Sequence, residues 1–215
     1  MEKRRAIVML GLPASGKGTQ AEKISNRINA TIVGIGDLVR EAMKTGDKNS
    51  PLIAKIINNY QKGIPQSDDI AAELLENKIF QTSGNIIFDN YPFSKNQIDF
   101  FEALLKKFDF SRPEIIYIKI NPNSSIERIS KRLVCNHCKH IYLSGNIGED
   151  CVNSNCQGKL SRRPDDTPEV MKKRIEFAQP RIDLVINHYK KTDKVHEING
   201  EKSISEVEKS IRKIL

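Results

Sequence analysis

The sequence predicts an α/β fold: a parallel sheet wound on both faces by helices. Two observations point there. Five short runs of aliphatic and β-branched residues recur along the chain, and most are continuous rather than alternating. That is the pattern of strands buried on both faces. Helix-like stretches fall between them, and strands that alternate with helices build a doubly wound sheet.

The strands are expected at 5–10 (RAIVML), 31–35 (TIVGI), 85–89 (NIIFD), 114–120 (EIIYIKI) and 194–198 (KVHEI). Helices are expected at 18–28, 37–45, 51–62, 68–81, 95–108, 125–133, 168–191 and 205–214. Ser124 and Glu127 have the spacing of a capping box, which would put Arg128, Lys131 and Arg132 in the first turns of the helix they open. Thr167-Pro168 reads as an N-cap followed by proline at the first helical position. Two stretches fit the alternation less well and read as excursions from the sheet. Residues 34–65 carry two helices, and residues 130–166 carry all four cysteines among Gly, Asn and Ser.

Composition sets bounds. At 215 residues the chain can form one sizeable core with small inserted modules. No apolar run approaches the length of a membrane span, and the N-terminal stretch 6–10 is too short for a signal-peptide core. The expected location is therefore cytoplasmic, without a membrane partner. Four cysteines are too few for a disulfide scaffold of this length. The net charge of +8 suits nucleic acid, nucleotides or plain solubility.

The sharpest signal follows the first strand. Gly11-Leu-Pro-Ala14-Ser15-Gly16-Lys17-Gly18-Thr19 matches G-x-x-x-x-G-K, with its hydroxyl one place later than in the commonest form. Such a loop wraps a phosphate in successive backbone N–H groups, and the helix that opens beyond it adds its positive end. Lys17 can then reach the β- and γ-phosphates, and Thr19 can face Mg²⁺.

Cys135-x₂-Cys138 and Cys151-x₄-Cys156 form two knuckles. Four thiolates so spaced suit a tetrahedral, structural Zn²⁺, with no position left for substrate. Disulfides or an unmetallated segment are the alternatives, and His137 is a substitute ligand or an ordinary loop histidine.

The stretch from Gly11 to Gln20 resembles the phosphate loop of adenylate kinases and other nucleoside monophosphate kinases. Further matches follow in the family's order: Gly36-Asp37-Leu38-Val39-Arg40, Phe88-Asp89-Asn90-Tyr91-Pro92, Arg128 with Lys131-Arg132, and Arg163-Pro-Asp165-Asp166 with Arg174. Gly158-Lys-Leu160-Ser-Arg-Arg163 after the cysteines resembles the zinc-bearing lid of many bacterial members.

The resemblance implies a P-loop NTPase fold with a core (1–33, 66–129 and 167–215), a small helical acceptor module (34–65) and a zinc-knuckle lid (130–166). It implies ATP on Gly11, Ala14, Ser15, Gly16, Lys17, Gly18 and Thr19, with Arg128, Lys131, Ile141, Tyr142 and Lys202 completing that site. Asp89 would orient water around Mg²⁺. The acceptor would meet Ile35, Arg40, Ile64, Pro65, Gln66, Asn90, Tyr91, Pro92, Phe93, Gln97, Arg163 and Arg174. Lys17, Arg128, Lys131, Arg163 and Arg174 would neutralise the transferred phosphoryl group. The expected partners are ATP and a nucleoside monophosphate, AMP first, with the protein acting as a monomer.

Departures from the family pattern cluster at the acceptor. The family's Arg after the proline is Phe93, its glycine before the aromatic is Asn90, and its hydroxyl residue before G-D is Ile35. A loop glycine is Ala14, and the glycine before the paired basic residues is Ser130. A lost Arg–phosphate contact costs about 1.5–3 kcal/mol. Gln97 has a second reading, because Ser94 and Gln97 also have capping-box spacing. Three hypotheses stand: adenylate kinase with a rebuilt acceptor site, a related kinase with another acceptor, and a catalytically weak nucleotide-binding zinc protein that binds RNA or a partner. The third lacks aromatic residues interleaved with its basic ones, which base stacking needs.

Overall fold

The first strand, β1 (Ala6–Gly11), is buried at every residue and lies at the middle of the sheet. A computed structural model describes residues 3–47, 49–61, 66–138, 140–153, 155–162 and 166–215. After β1 come α1 (Lys17–Ile28), β2 (Ala30–Gly34), α2 (Ile35–Thr45), α3 (Pro51–Gln61), α4 (Asp68–Phe80), β3 (Asn85–Asp89), α5 (Lys95–Lys107) and β4 (Glu114–Lys119). Then follow α6 (Pro122–Lys131), the short strands β5 (Leu133–Cys135), β6 (Ile141–Tyr142) and β7 (Leu160–Ser161), α7 (Pro168–Tyr189), β8 (Val195–Asn199) and α8 (Ile204–Arg212).

Five strands form one parallel sheet in the order β2-β3-β1-β4-β8. The continuous apolar runs find their cause here. Val8 and Leu10 of β1 face one apolar layer with Phe88, Phe101 and Ile182, while Ile7 and Met9 face the other with Ile24, Ile116 and Ile211. Both faces are covered, so no residue of the central strand is left for water. Phe88 meets Phe101 edge to face, with ring centroids 4.8 Å apart.

The chain leaves β1 toward β2 on one side of the sheet and leaves β3 toward β4 on the other. β1 and β3 are neighbours, so a crevice opens beyond their carboxyl ends, where open α/β sheets bind ligands. The register pairs Met9 with Asp89 and Gly34 with Asp89. The phosphate-loop sequence and Asp89 therefore come out at the same edge.

Two smaller groupings stand beside this sheet. Val39, Ile53 and Ile56 of α2 and α3 pack with Ile70 of α4 in an apolar cluster of their own. The three short strands form an antiparallel sheet in the order β6-β5-β7, whose core is Leu133, Cys135, Cys151 and Leu160.

One helix start differs from the expected one. α6 begins at Pro122, and its cap is Asn121, whose side chain accepts from Asn123 N–H at 2.9 Å. Asn-Pro supplies both the cap and a preset first residue, and so displaces the Ser124 box. Glu127 bonds Lys131 at 2.6 Å, and Arg128 and Lys131 lie in the last turn rather than the first. The Thr167 cap stands as expected, accepting from Val170 N–H at 3.3 Å. Among the described residues no helix is long and apolar enough to cross a membrane.

Candidate active site

The turn from β1 into α1 is tight. Ser15 N–H donates to Leu12 O at 3.1 Å, and Gln20 N–H to Gly16 O at 3.0 Å. Ala14 and Gly16 both hold left-handed backbone, at φ 57° and 92°. A Cβ added at Gly16 or Gly18 would meet nothing within 4 Å, so the loop has open space above it. A Cβ at Gly11 would come within 2.8 Å of Ile118 O and closer still to the Ser15 hydroxyl. Glycine is needed there for close packing. The Ser15 hydroxyl is buried without a hydrogen-bond partner among the described residues.

Lys17, half-buried, places its Nζ 3.4 Å from Leu12 O. Burial pushes its pKa down, Asp89 pulls it back, and Arg174 and Arg132 push it further down. Burial raises the Asp89 carboxyl, against the pull of Lys17 and with the added push of Asp37. One of its oxygens, Oδ1, is buried with no hydrogen-bond partner among the described residues. An ammonium, a carboxylate and two guanidinium groups thus act on one another across the crevice. A polyphosphate with a divalent cation fits that donor set: cations for its oxygens and an orphaned carboxylate oxygen for the metal's water.

Arg132 is a residue that sequence reading quoted without giving it a place in the site. Its Nε donates to Asp166 Oδ2 at 2.9 Å and its Nη2 to the other oxygen, and both residues are 8% exposed. Lys131, chosen from sequence, is instead exposed and engaged with Glu127. The helix phase was the available signal: once α6 starts at Pro122, Arg132 is its C-cap and turns inward. Arg128 sits elsewhere, its Nη2 donating to Gly200 O at 2.8 Å and Glu201 Oε2 at 3.2 Å. It thereby stands at the turn that holds the exposed Lys202. Ser125, fully buried, donates to Pro13 O at 2.6 Å and ties α6 to the phosphate loop.

Around the second half of the crevice, Ile35 opens α2 and packs between two apolar clusters. Arg40 is exposed and holds Asp37 Oδ1 at 2.5 Å. A Cβ at Gly34 would lie 3.5 Å from Asp37 Oδ2 and 3.6 Å from Asp89 Cβ. Asp37 is therefore a second site carboxylate that sequence reading quoted without giving it a role. Asn90 takes left-handed backbone at φ 51°, and its Oδ1 is buried with no partner among the described residues. Tyr91, Pro92 and Phe93 follow through a cis Tyr91-Pro92 bond. Tyr91 is buried against Phe101, and Phe93 is half-buried against the core. Gln97 bonds Phe93 N–H and Asp68. Gln66 donates to Ile56 O and accepts from Asn59, both at 3.1 Å. Ile64, Pro65 and Arg163 lie outside the described residues.

The adenylate kinase family model matches residues 9–194. The chain is 33% identical to the adenylate kinase of Rickettsia africae over 219 aligned positions, covering 97% of this chain and 98% of the relative. It is 31% identical to that of Dehalococcoides mccartyi, covering 95% of each. The chain belongs to the adenylate kinase family. It is accordingly a phosphotransferase of the nucleoside monophosphate kinase type.

In this adenylate kinase family member the four cysteine sulfurs lie within 4.8 Å of one another. Cys135 and Cys156 are 3.5 Å apart, and Cys138 and Cys151 3.6 Å. Tetrahedral zinc with Zn–S near 2.3 Å sets its sulfurs about 3.8 Å apart, so the set fits that ion. Backbone N–H groups also face two of the sulfurs. His137 N–H and Cys138 N–H point to Cys135 Sγ at 3.3 and 3.4 Å, and Gly158 N–H to Cys156 Sγ at 3.4 Å. The His140 backbone N–H, ahead of weaker contributors, draws Cys138 down to about 6. The Tyr142 hydroxyl lies 3.0 Å from Cys151 Sγ, so it faces the knuckle, while Ile141 beside it is partly exposed.

Proposed function

We propose that the chain transfers the γ-phosphoryl group of MgATP reversibly to AMP, giving two ADP. The observation that carries this reading is the meeting of Lys17 and Asp89 at the strand switch point, with Arg132 and Arg174 acting on the same ammonium. Phosphoryl transfer needs positioning and charge neutralisation more than covalent help.

In this reading the loop residues Gly11, Ala14, Ser15, Gly16, Gly18 and Thr19 cradle the ATP phosphates, and Lys17 reaches the β- and γ-groups. Mg²⁺, when bound with the nucleotide, offsets the charge on the phosphate oxygens. Thr19 and Asp89 would hold it, Asp89 through water. Arg128 and the Gly200–Lys202 turn border the adenine. Arg132, Arg163 and Arg174 gather on the transferred group, and Lys131 joins them only by leaving Glu127. Arg40 takes the acceptor phosphate, Gln97 and Ile64–Gln66 the acceptor base, and Asn90–Phe93 the wall between. Cys135, Cys138, Cys151 and Cys156 hold a structural Zn²⁺ in a lid spanning 130–166, opposite an acceptor module at 34–65.

The test is an acceptor panel: ATP with AMP, GMP, CMP, UMP or dAMP, each followed for its diphosphate product. AMP is expected to lead. A second reading, another acceptor, draws support from Ile35 and Phe93, which make the pocket more apolar than an Arg would. A clear preference for another monophosphate would replace the first reading with the second. Within the first, Phe93→Arg restores a charge-assisted phosphate contact and is expected to lower KM for AMP about ten- to a hundredfold.

A further inference from the structure

The Gln97 side chain is held at both ends of its amide. Its Oε1 accepts from Phe93 N–H at 2.7 Å, and its Nε2 donates to Asp68 Oδ1 at 2.6 Å. The other Asp68 oxygen accepts from the Ser94 hydroxyl at 2.8 Å, and that hydroxyl accepts from Gln97 N–H at 3.1 Å. Asp68 opens α4 and Gln97 lies in the first turn of α5, so the arrangement joins two helices.

A backbone N–H can only donate, and an ionised carboxylate can only accept. The two partners therefore decide which end of the amide is oxygen, a choice that amide shape alone leaves open. Each end keeps one capacity in reserve: a second hydrogen on Nε2 and a second lone pair on Oε1. Together they form a donor–acceptor pair of fixed sense. A 6-aminopurine offers an acceptor at N1 and a donor at its amino group, and a 6-oxopurine offers the reverse. With ribose and phosphate held, the base cannot turn over to correct a mismatch. An amide free to flip would serve both.

We infer that Asp68 is a positioning residue that locks the Gln97 amide and so makes the acceptor site select amino over oxo purine monophosphates. This rests on the reading above that Gln97 faces the acceptor base.

The experiment compares kcat/KM for AMP and GMP, with ATP as donor, in the wild type and in Asp68→Ala, Asp68→Ser and Asp68→Asn. Asp68→Ser keeps a polar helix start should the alanine variant fail to fold. Both short side chains remove the charged partner of the amide and leave the Phe93 N–H alone to fix its sense. The AMP:GMP ratio is expected to fall about tenfold in each, the size of one mismatched hydrogen-bond pair, mainly through KM and with kcat for AMP held. Asp68→Asn keeps an acceptor oxygen in reach and is expected to retain most of the ratio. A ratio within twofold of wild type in the Ala and Ser variants, whatever their absolute loss, overturns the lock. A wild type indifferent between AMP and GMP overturns it too while leaving phosphoryl transfer intact. A wild type that uses neither overturns both readings.

Discussion

Ala14 and Asn90 hold backbone that glycine adopts freely, at φ 57° and 51°, on the two loops that face the crevice. Against the family pattern both were legible as lost glycines. That the chain keeps the glycine conformation without the glycine is visible only in the fold. An alanine in that region costs about 1 kcal/mol, whereas asparagine visits it more readily. Ala14→Gly is therefore expected to raise stability by about 1 kcal/mol, read as a higher urea midpoint with unchanged slope, and Asn90→Gly to change it little. Gly158 is the opposite case, where space decides. A Cβ there would lie 2.7 Å from His137 Cβ and closer still to Cys135 Sγ. Gly158→Ala is expected to purify with much less zinc than wild type, measured with a chromophoric chelator. With the proposed zinc in the cysteine cluster, a chelator is expected to lower the melting temperature of the wild type.

At the scale of elements, the expected strands and the core of each expected helix are present, with ends shifted by a few residues. Their apolar runs and caps are local properties, so sequence carries them. α6 shows where that stops. Two competing start signals lie three residues apart, and the choice between Asn121 and Ser124 rotates every later side chain by most of a turn. Arg132 consequently turns inward while Lys131 bonds Glu127, and although Asp166 stood in a quoted motif, nothing local marked it as the partner of Arg132, 34 residues back. Breaking such a buried pair from one side leaves a bare charge and costs about 3–5 kcal/mol. Arg132→Met or Asp166→Leu alone is expected to destabilise by that amount in denaturant titration, and the double variant by much less, with activity lost in every case that removes Arg132. The joint between β4 and β8 is a milder example. Glu114 accepts from Lys194 at 2.6 Å and His196 at 2.8 Å. Burial raises its pKa, but these two donors outweigh it and leave the carboxyl below its ordinary 4.5. A lowered carboxyl contributes fully above the unfolded value and loses its contribution as pH falls through the folded one. The stability advantage of wild type over Glu114→Gln should hold from pH 7 to about 5 and shrink below about 4.5.

Across the whole molecule, the net charge of +8 read first as a possible polyanion signal. In the fold several of these cations already have protein partners, as Lys23 has Glu208, Lys78 has Glu41 and Lys107 has Glu76. Lys17 instead stands in the crevice, under the pull of Asp89 and the push of Arg174 and Arg132. The excess is better matched to phosphates a few atoms long than to a nucleic-acid stripe. What sequence conveyed poorly was which groups converge, because convergence depends on the β2-β3-β1-β4-β8 order and its switch point rather than on any one segment. The buried pair of Arg132 and Asp166 has one more consequence. The chain leaves for the three small strands directly after the first and returns to α7 directly after the second. A segment that departs and returns through one doorway is a cassette. A segment of another length could be spliced in between those two residues without moving any strand of the parallel sheet.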